Sequence, residues 1–393
     1  MRQSGKHIIK RILIASCFAF LAGSWVSGTD GQKALKEEAS QDWSKISGLF
    51  SPPAAFENEF GDFKSPLRFY NGDTVANTED WLLRREEILG QWHQMMGPWP
   101  DLLKEQQLEF LDSVKTEGIT RYQVAFNWLP GERTQGYLLV PEGSEKKAAV
   151  ITVFYEPETA VGIGGKPYRD FAIQLAKRGF VTLSLGTTEA TADRTFSLYY
   201  PNLNRASVQP LSMLAYAAAN AWQVLAKVPE VDSSRIGIVG HSFGGKWAMF
   251  ASCLYEKFAC AAWSDPGIVF DETREAVNYW EPWYLGYHPQ PWRKRGMITA
   301  ENPARGLYPK LVEDGYDLTD LHALMAPRPF LVSGGSEDPP ERWKALNHSI
   351  LINKRLGYTN RVAMSNRPEH SPNEESNEQI YAFFSYFLKG KKR

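Results

Sequence analysis

Residues 236–248, Ile-Gly-Ile-Val-Gly-His-Ser-Phe-Gly-Gly-Lys-Trp-Ala, run from an apolar β-type stretch into Gly240-His241-Ser242-Phe243-Gly244 and on into a helical stretch rich in Ala, Met and Phe. A G-x-S-x-G pattern between a strand and a helix is the setting of a nucleophilic serine. Glycines at 240 and 244 suit a turn so sharp that a side chain at either position collides with the backbone. The turn lifts the Ser242 hydroxyl to its tip, beside the first amides of the helix, where developing negative charge meets N–H donors.

A serine hydroxyl is a weak nucleophile at neutral pH. It needs a histidine as general base, and the histidine needs a carboxylate to hold its tautomer and steady its charged form. Of the seven histidines, His370 lies in the loop 366–372 between the last β-type stretch and the C-terminal helix. That is where a side chain can reach Ser242. His7 belongs to a leader, His93 and His348 to helices, His288 to an aromatic insertion, and His322 opens a helix. His241 is expected to point away from Ser242. For the carboxylate, the stretch 330–340 is a strand ending in a Gly-rich turn with Glu337-Asp338. Asp338 is the expected partner of His370. Glu337 beside it and Asp265, just after the preceding strand, are the alternatives, and a turn aspartate also caps its own backbone.

The oxyanion donors are expected to be the Phe243 N–H and one N–H after the stretch 148–155. Pro157 has no N–H, which leaves Tyr155 or Glu156, with Glu156 the assigned donor. Gly162-Ile163-Gly164-Gly165-Lys166 lacks the spacing and terminal Ser/Thr of a phosphate loop. No His/Cys cluster has metal-ligand spacing, so neither a metal nor a cofactor is expected.

The elements that position these residues follow from periodicity. Apolar runs at 148–155, 180–185, 235–239, 259–263, 329–333 and 360–365 alternate with helical patterns at 168–178, 211–227, 246–255, 342–354 and 375–388. Near-continuous apolar strands separated by helices imply a mostly parallel sheet covered on both faces. A hairpin, 120–128 and 134–140, precedes them, and an amphipathic helix spans 80–96. Residues 29–78 read as a polar extension over loops. Residues 264–327 form an insertion carrying Trp280, Trp283, Tyr284 and Trp292. Such an insertion at the carboxyl end of a sheet either roofs the pocket or is structural packing. Lys246, Trp280 and Trp283 are the expected substrate contacts, since Trp rings stack on sugar faces.

With 44 basic and 45 acidic residues the chain has no single-sign field, which speaks against nucleic acid and anionic membrane surfaces as partners. Arg2, Lys6, Lys10 and Arg11 precede an apolar run at 12–26 that is short for a bilayer span, with small residues after it. This is the pattern of a secretory signal over residues 1–28, so a secreted or periplasmic protein without stable membrane insertion is expected. The division that follows is an extension over 29–119 and a catalytic domain over 120–393. Cys253 and Cys260 are too few for a disulfide framework and are expected as buried thiols. Oligomeric state is not readable from these features.

The order Ser242, acid, His370 is that of the α/β-hydrolases, and residues 120–390 resemble that superfamily. The stretch 231–237, Val-Asp-Ser-Ser-Arg-Ile-Gly, ahead of Gly-His-Ser-Phe-Gly-Gly-Lys looks like the dienelactone hydrolase, prolyl-oligopeptidase and acetyl xylan esterase groups. Residues 321–331, Leu-His-Ala-Leu-Met-Ala-Pro-Arg-Pro-Phe-Leu, are similar to the segment before the acid strand of glucuronoyl esterase-like carbohydrate esterases. Lys246 matches a lysine that those esterases carry after the nucleophile, implicated there in uronate binding. They have Cys-Ser-Arg where His241-Ser242-Phe243 stands here. The resemblance implies a secreted serine esterase acting on a small-molecule or carbohydrate ester through an acyl-enzyme. The alternatives are a prolyl-oligopeptidase-like peptidase and a non-catalytic binding protein of the same fold.

Overall fold

Along the strand Lys147–Phe154 the side chains alternate between two apolar layers. Ala149, Ile151 and Val153 join the core on one face of the sheet, while Ala148 and Val150 join the core on the other. A strand buried on both faces needs this continuous apolar composition. The computed structural model describes residues 28–187 and 197–390. The charged and apolar stretches of the leader lie outside the described residues.

Among the described residues, nine strands form a sheet in the order β1-β2-β3-β5-β4-β6-β7-β8-β9. β1 (Glu109–Thr116), β2 (Ile119–Leu129) and β3 (Glu132–Pro141) form an antiparallel meander. β3 runs antiparallel to β5 (Val181–Gly186). From β5 onward the neighbours are parallel: β4 (Lys147–Phe154), β6 (Val231–His241), β7 (Cys260–Ser264), β8 (Phe330–Gly334) and β9 (Val362–Asn366). Helices α1 (Gly28–Ile46), α2 (Thr78–Met96), α3 (Phe171–Lys177), α4 (Pro210–Leu225), α5 (Phe243–Leu254), α6 (Trp343–Arg355) and α7 (Glu374–Phe384) cover it. α2, α4, α5 and α6 share one apolar layer, and α1, α3 and α7 the other. α4 and α5 are apolar nearly all round, as central helices must be.

Two elements differ from the sequence reading. The region read as loops over 29–78 begins with helix α1, whose GTDGQKALKEEASQDWSKI is polar on average yet carries Ala39, Trp43 and Ile46 at helix spacing. Ile46 is its buried anchor, and Trp43 stacks on Phe50 at 5.5 Å. β1 also escapes the pattern, because every residue of this edge strand is exposed and no burial alternation marks it. No helix among the described residues is long and apolar enough to cross a membrane.

Candidate active site

Ser242 follows β6, between β4 and β7 near the middle of the sheet, and stands at φ +56. That left-handed geometry is rare outside glycine and marks a functional strain point. A Cβ on Gly240 would strike the Gly244 carbonyl, and one on Gly244 the Val153 carbonyl, so the two glycines of the motif permit the turn. The Ser242 amide donates to the Ser264 carbonyl at 2.8 Å, tying the nucleophile turn to the end of β7.

His370 arrives on the loop after β9. Arg367 braces that loop: its guanidinium donates to the carbonyls of Ser333 (2.8 Å), Gly334 (3.2 Å), His370 (2.7 Å) and Ser371 (2.8 Å). His370 Nε2 lies 2.8 Å from Ser242 Oγ, and Nδ1 lies 2.7 Å from Asp265 Oδ2. The buried Asp265 carboxylate also accepts the amides of Gly335 (2.6 Å) and Asp338 (2.9 Å), with Glu337 at 3.4 Å.

The carboxylate expected at Asp338 is therefore corrected to Asp265, the alternative after the preceding strand. Asp338 turns its oxygens back into the protein, where they accept the amides of Gly267 (2.8 Å) and Ile268 (2.6 Å). Burial and the neighbouring Asp265 hold its carboxyl well above the usual range. The Glu337 carboxylate takes the Ser336 hydroxyl instead (2.9 Å). The misreading has a physical reason. β7 and β8 are parallel neighbours whose carboxyl ends lie side by side, and Asp265 swings toward His370 only because it stands at φ +50. No residue pattern announces a left-handed aspartate.

His241 is close to the site. Its ring is buried 4.8 Å from the His370 ring, with Nδ1 3.1 Å from Ser264 Oγ. Burial, reinforced by the charge His370 can carry, pushes its pKa well below the ordinary histidine value, so it stays a neutral wall.

On the oxyanion side, the Phe243 N–H opens α5 at the expected place. The Glu156 side chain is engaged with Thr159 (3.0 Å) and Lys166 (2.8 Å). Tyr155 contributes more than a backbone position. Its ring stacks on Phe243 at 4.8 Å and 15°, and burial raises the pKa of its hydroxyl. Sequence reading weighed Tyr155 only for its N–H; an aromatic at the end of the strand beside the nucleophile was the available signal.

The expected substrate contacts are corrected more strongly. The Lys246 side chain is buried under the loop after β7, with Nζ donating to the carbonyls of Pro266 and Ala276 (3.2 Å for Ala276). The ammonium lies 4.7 Å from the Tyr279 ring centre. Burial lowers its pKa to about 8, against the attraction of Asp338, Glu337 and Asp265. It cannot meet a sugar there, because α5 is buried on every side. Trp280 is fully buried with its indole N–H on the Gly296 carbonyl (3.0 Å), and Trp283 is 5% exposed against Tyr284 and Trp292. Trp280 packs beside the buried Glu281–Arg293 ion pair (2.9 Å), its indole and the Arg293 guanidinium sharing the Gly296 carbonyl.

Residues 134–266 match the model of the dienelactone hydrolase family. The chain has the α/β-hydrolase fold. Among solved structures, this chain is similar to a glucuronoyl esterase from Solibacter usitatus, at 18% identity over 82% of this chain and 97% of that one, with a TM-score of 0.64. A carbohydrate esterase family 15 glucuronoyl esterase from Caldicellulosiruptor kristjansonii matches at 19% identity, covering 87% and 94% of the two chains, with a TM-score of 0.59. One from Teredinibacter turnerae matches at 16% identity over 89% and 99%, with a TM-score of 0.58. No curated protein sequence matches.

Proposed function

We propose that this α/β-hydrolase is a secreted serine esterase that cleaves a carboxylic ester on a carbohydrate through an acyl-enzyme. The observation that carries the reading is the hydrogen-bonded chain Ser242–His370–Asp265, with links of 2.8 and 2.7 Å, at the carboxyl end of the sheet. Ser242 Oγ attacks the ester carbonyl while His370 Nε2 takes its proton. Asp265 holds Nδ1–H and steadies the imidazolium, and the Phe243 amide donates to the oxyanion. His370 returns the proton to the departing alcohol. Water then enters and gives a proton to His370 Nε2 as it attacks the acyl carbonyl; the acyl–Oγ bond breaks, His370 returns the proton to Ser242 Oγ, and the acid leaves. The carbohydrate assignment draws on the glucuronoyl esterases that share the fold, and export draws on the leader pattern of residues 1–28.

The test is Ser242→Ala. It should lower ester turnover by on the order of 10⁴–10⁶-fold and abolish fluorophosphonate labelling with the fold intact. Persistent labelling or a substantial share of wild-type turnover rules out Ser242 as nucleophile. Assaying the wild type on acetyl, feruloyl and methyl-glucuronate esters then separates the acyl classes. Turnover of peptides in place of all three would favour the peptidase reading.

A further inference from the structure

Strands β7 and β8 each deliver an Asp-Pro pair, Asp265-Pro266 and Asp338-Pro339, and the two turns exchange carboxylates. Asp265 accepts the amides of Gly335 and Asp338, while Asp338 accepts those of Gly267 and Ile268. The first carboxylate faces His370; the second faces the backbone just beyond Asp265. Asp265 stands at φ +50, a conformation that a non-glycine residue keeps only where its surroundings over-determine it. Three side chains supply that determination on the residues that follow it. Asp338 holds two amides, Lys246 Nζ holds the Pro266 and Ala276 carbonyls, and the Tyr279 hydroxyl donates to the Gly267 carbonyl at 2.7 Å.

Resting on the Ser242–His370–Asp265 reading, we infer that Asp338 and Lys246 are positioning residues of the triad. Together they clamp the turn 265–268 so that Asp265 is held against His370 Nδ1. A carboxylate suits the Asp338 position because it is acceptor-only, so both oxygens can receive N–H donors. An asparagine there points an NH₂ at one of the two amides. An ammonium suits position 246 for the converse reason, since it has only donors to give to carbonyls. Small displacements of a catalytic group are costly, which is why residues outside the reacting atoms matter.

The experiment compares Asp338→Asn, Lys246→Met and Asp265→Asn on p-nitrophenyl acetate. Rates are expressed per site titrated with a fluorophosphonate, and kcat/KM is followed against pH. Asp338→Asn should lower kcat by about 10²-fold with KM nearly unchanged. It should also move the acid limb of kcat/KM to lower pH, because a displaced Asp265 stabilises the His370 imidazolium less.

The groups facing His370 are Asp265, the neutral His241, Arg367 through the His370 carbonyl, and Arg169 through Ser371. Those facing Asp338 are Asp265, Arg342 at 3.8 Å, Lys246, Tyr279 and Arg367. Lys246→Met separates position from charge. Losing a nearby positive charge would by itself move the acid limb to higher pH. Losing the clamp moves it to lower pH, as in Asp338→Asn.

Limbs moving to lower pH in both variants, with reduced kcat per labelled site, support the clamp. Wild-type kcat per labelled site and an unmoved limb in Lys246→Met would overturn it, even if Asp338→Asn fails to fold. A limb moving to higher pH in Lys246→Met would overturn it as well. If Asp265→Asn stays active while Asp338→Asn labels but does not turn over, the triad reading itself fails, a result distinct from either.

Discussion

The turns after β7 and β8 are alike in composition and opposite in role. Each leaves a buried strand, reaches an Asp-Pro pair and presents one buried carboxylate. In the first, Asp265 comes directly after the strand, at positive φ, and touches His370. In the second, Asp338 comes after a Gly-Gly-Ser-Glu turn, contributes its amide to the cradle around Asp265, and sends its side chain back under the first turn. The comparison teaches that an acid at a strand end is not assigned by residue type or by distance along the chain. The assignment depends on which turn bends its side chain toward the base and which turn supplies amides to hold it there.

The largest expected effect that separates the two turns is on the acid itself. Asp265→Asn should lower kcat by ~10⁴-fold with the fold retained, since it disturbs the tautomer and the charge balance of His370 together. Glu337→Gln, in the second turn, should leave turnover near the wild-type rate. Equal losses in the two variants, measured by stopped-flow burst and steady-state rates, would erase the distinction between the turns.

A smaller effect is expected in the cradle. A Cβ on Gly335 would crowd the Asp265 carboxylate and the Glu369 carbonyl, and Gly335 supplies the shortest of the amide bonds to Asp265. Gly335→Ala should cost up to about 10²-fold in kcat by shifting Asp265. A fall in thermal stability with unchanged kcat per labelled site would show that this amide serves folding alone. Smaller still is Tyr279→Phe, which leaves the buried Gly267 carbonyl without its hydroxyl donor. It should lower unfolding stability by about 1–3 kcal/mol, read from urea denaturation, and affect kcat less than Gly335→Ala does.

Sequence alone reached much of this. Strands β2 to β9, the nucleophile turn and His370 were legible because burial on both faces writes continuous apolar runs, and because the tight turn demands glycine at 240 and 244. Asp265 was legible only as an alternative, since a left-handed φ leaves no mark in composition. Lys246 and Trp280 were misread for a related reason. A charged or aromatic residue near a nucleophile looks like a substrate contact until its depth is known. Here α5 lies wholly inside the molecule and carries Lys246 with it. The edge strand β1 lacked the burial contrast on which periodicity depends.

The last and smallest effect concerns the base of the same two strands. His322 is fully buried, with its ring 5.5 Å from Trp263 of β7 and 6.4 Å from Phe330 of β8, and neither ring nitrogen has a hydrogen-bond partner among the described residues. Burial, with a minor push from His348, lowers its pKa from 6.5 to about 3. Between those values the unfolded chain binds a proton that the folded chain does not. Stability therefore rises with pH across that window, is fully present above 6.5, and is lost as pH falls toward 3. Asp317 works in the opposite direction, because burial raises its pKa from 3.8 to about 7 and the folded state keeps a proton that the unfolded chain releases. The wild-type slope is thus a difference of opposed contributions, and a substitution is needed to isolate one of them. His322→Phe keeps an aromatic ring beside the stacked Trp263–Phe330 pair and removes the titration. Its Tm relative to wild type should climb steadily as pH is lowered from about 7 to about 4. A constant Tm offset over that range would mean that His322 does not carry the acid sensitivity of the β7–β8 base.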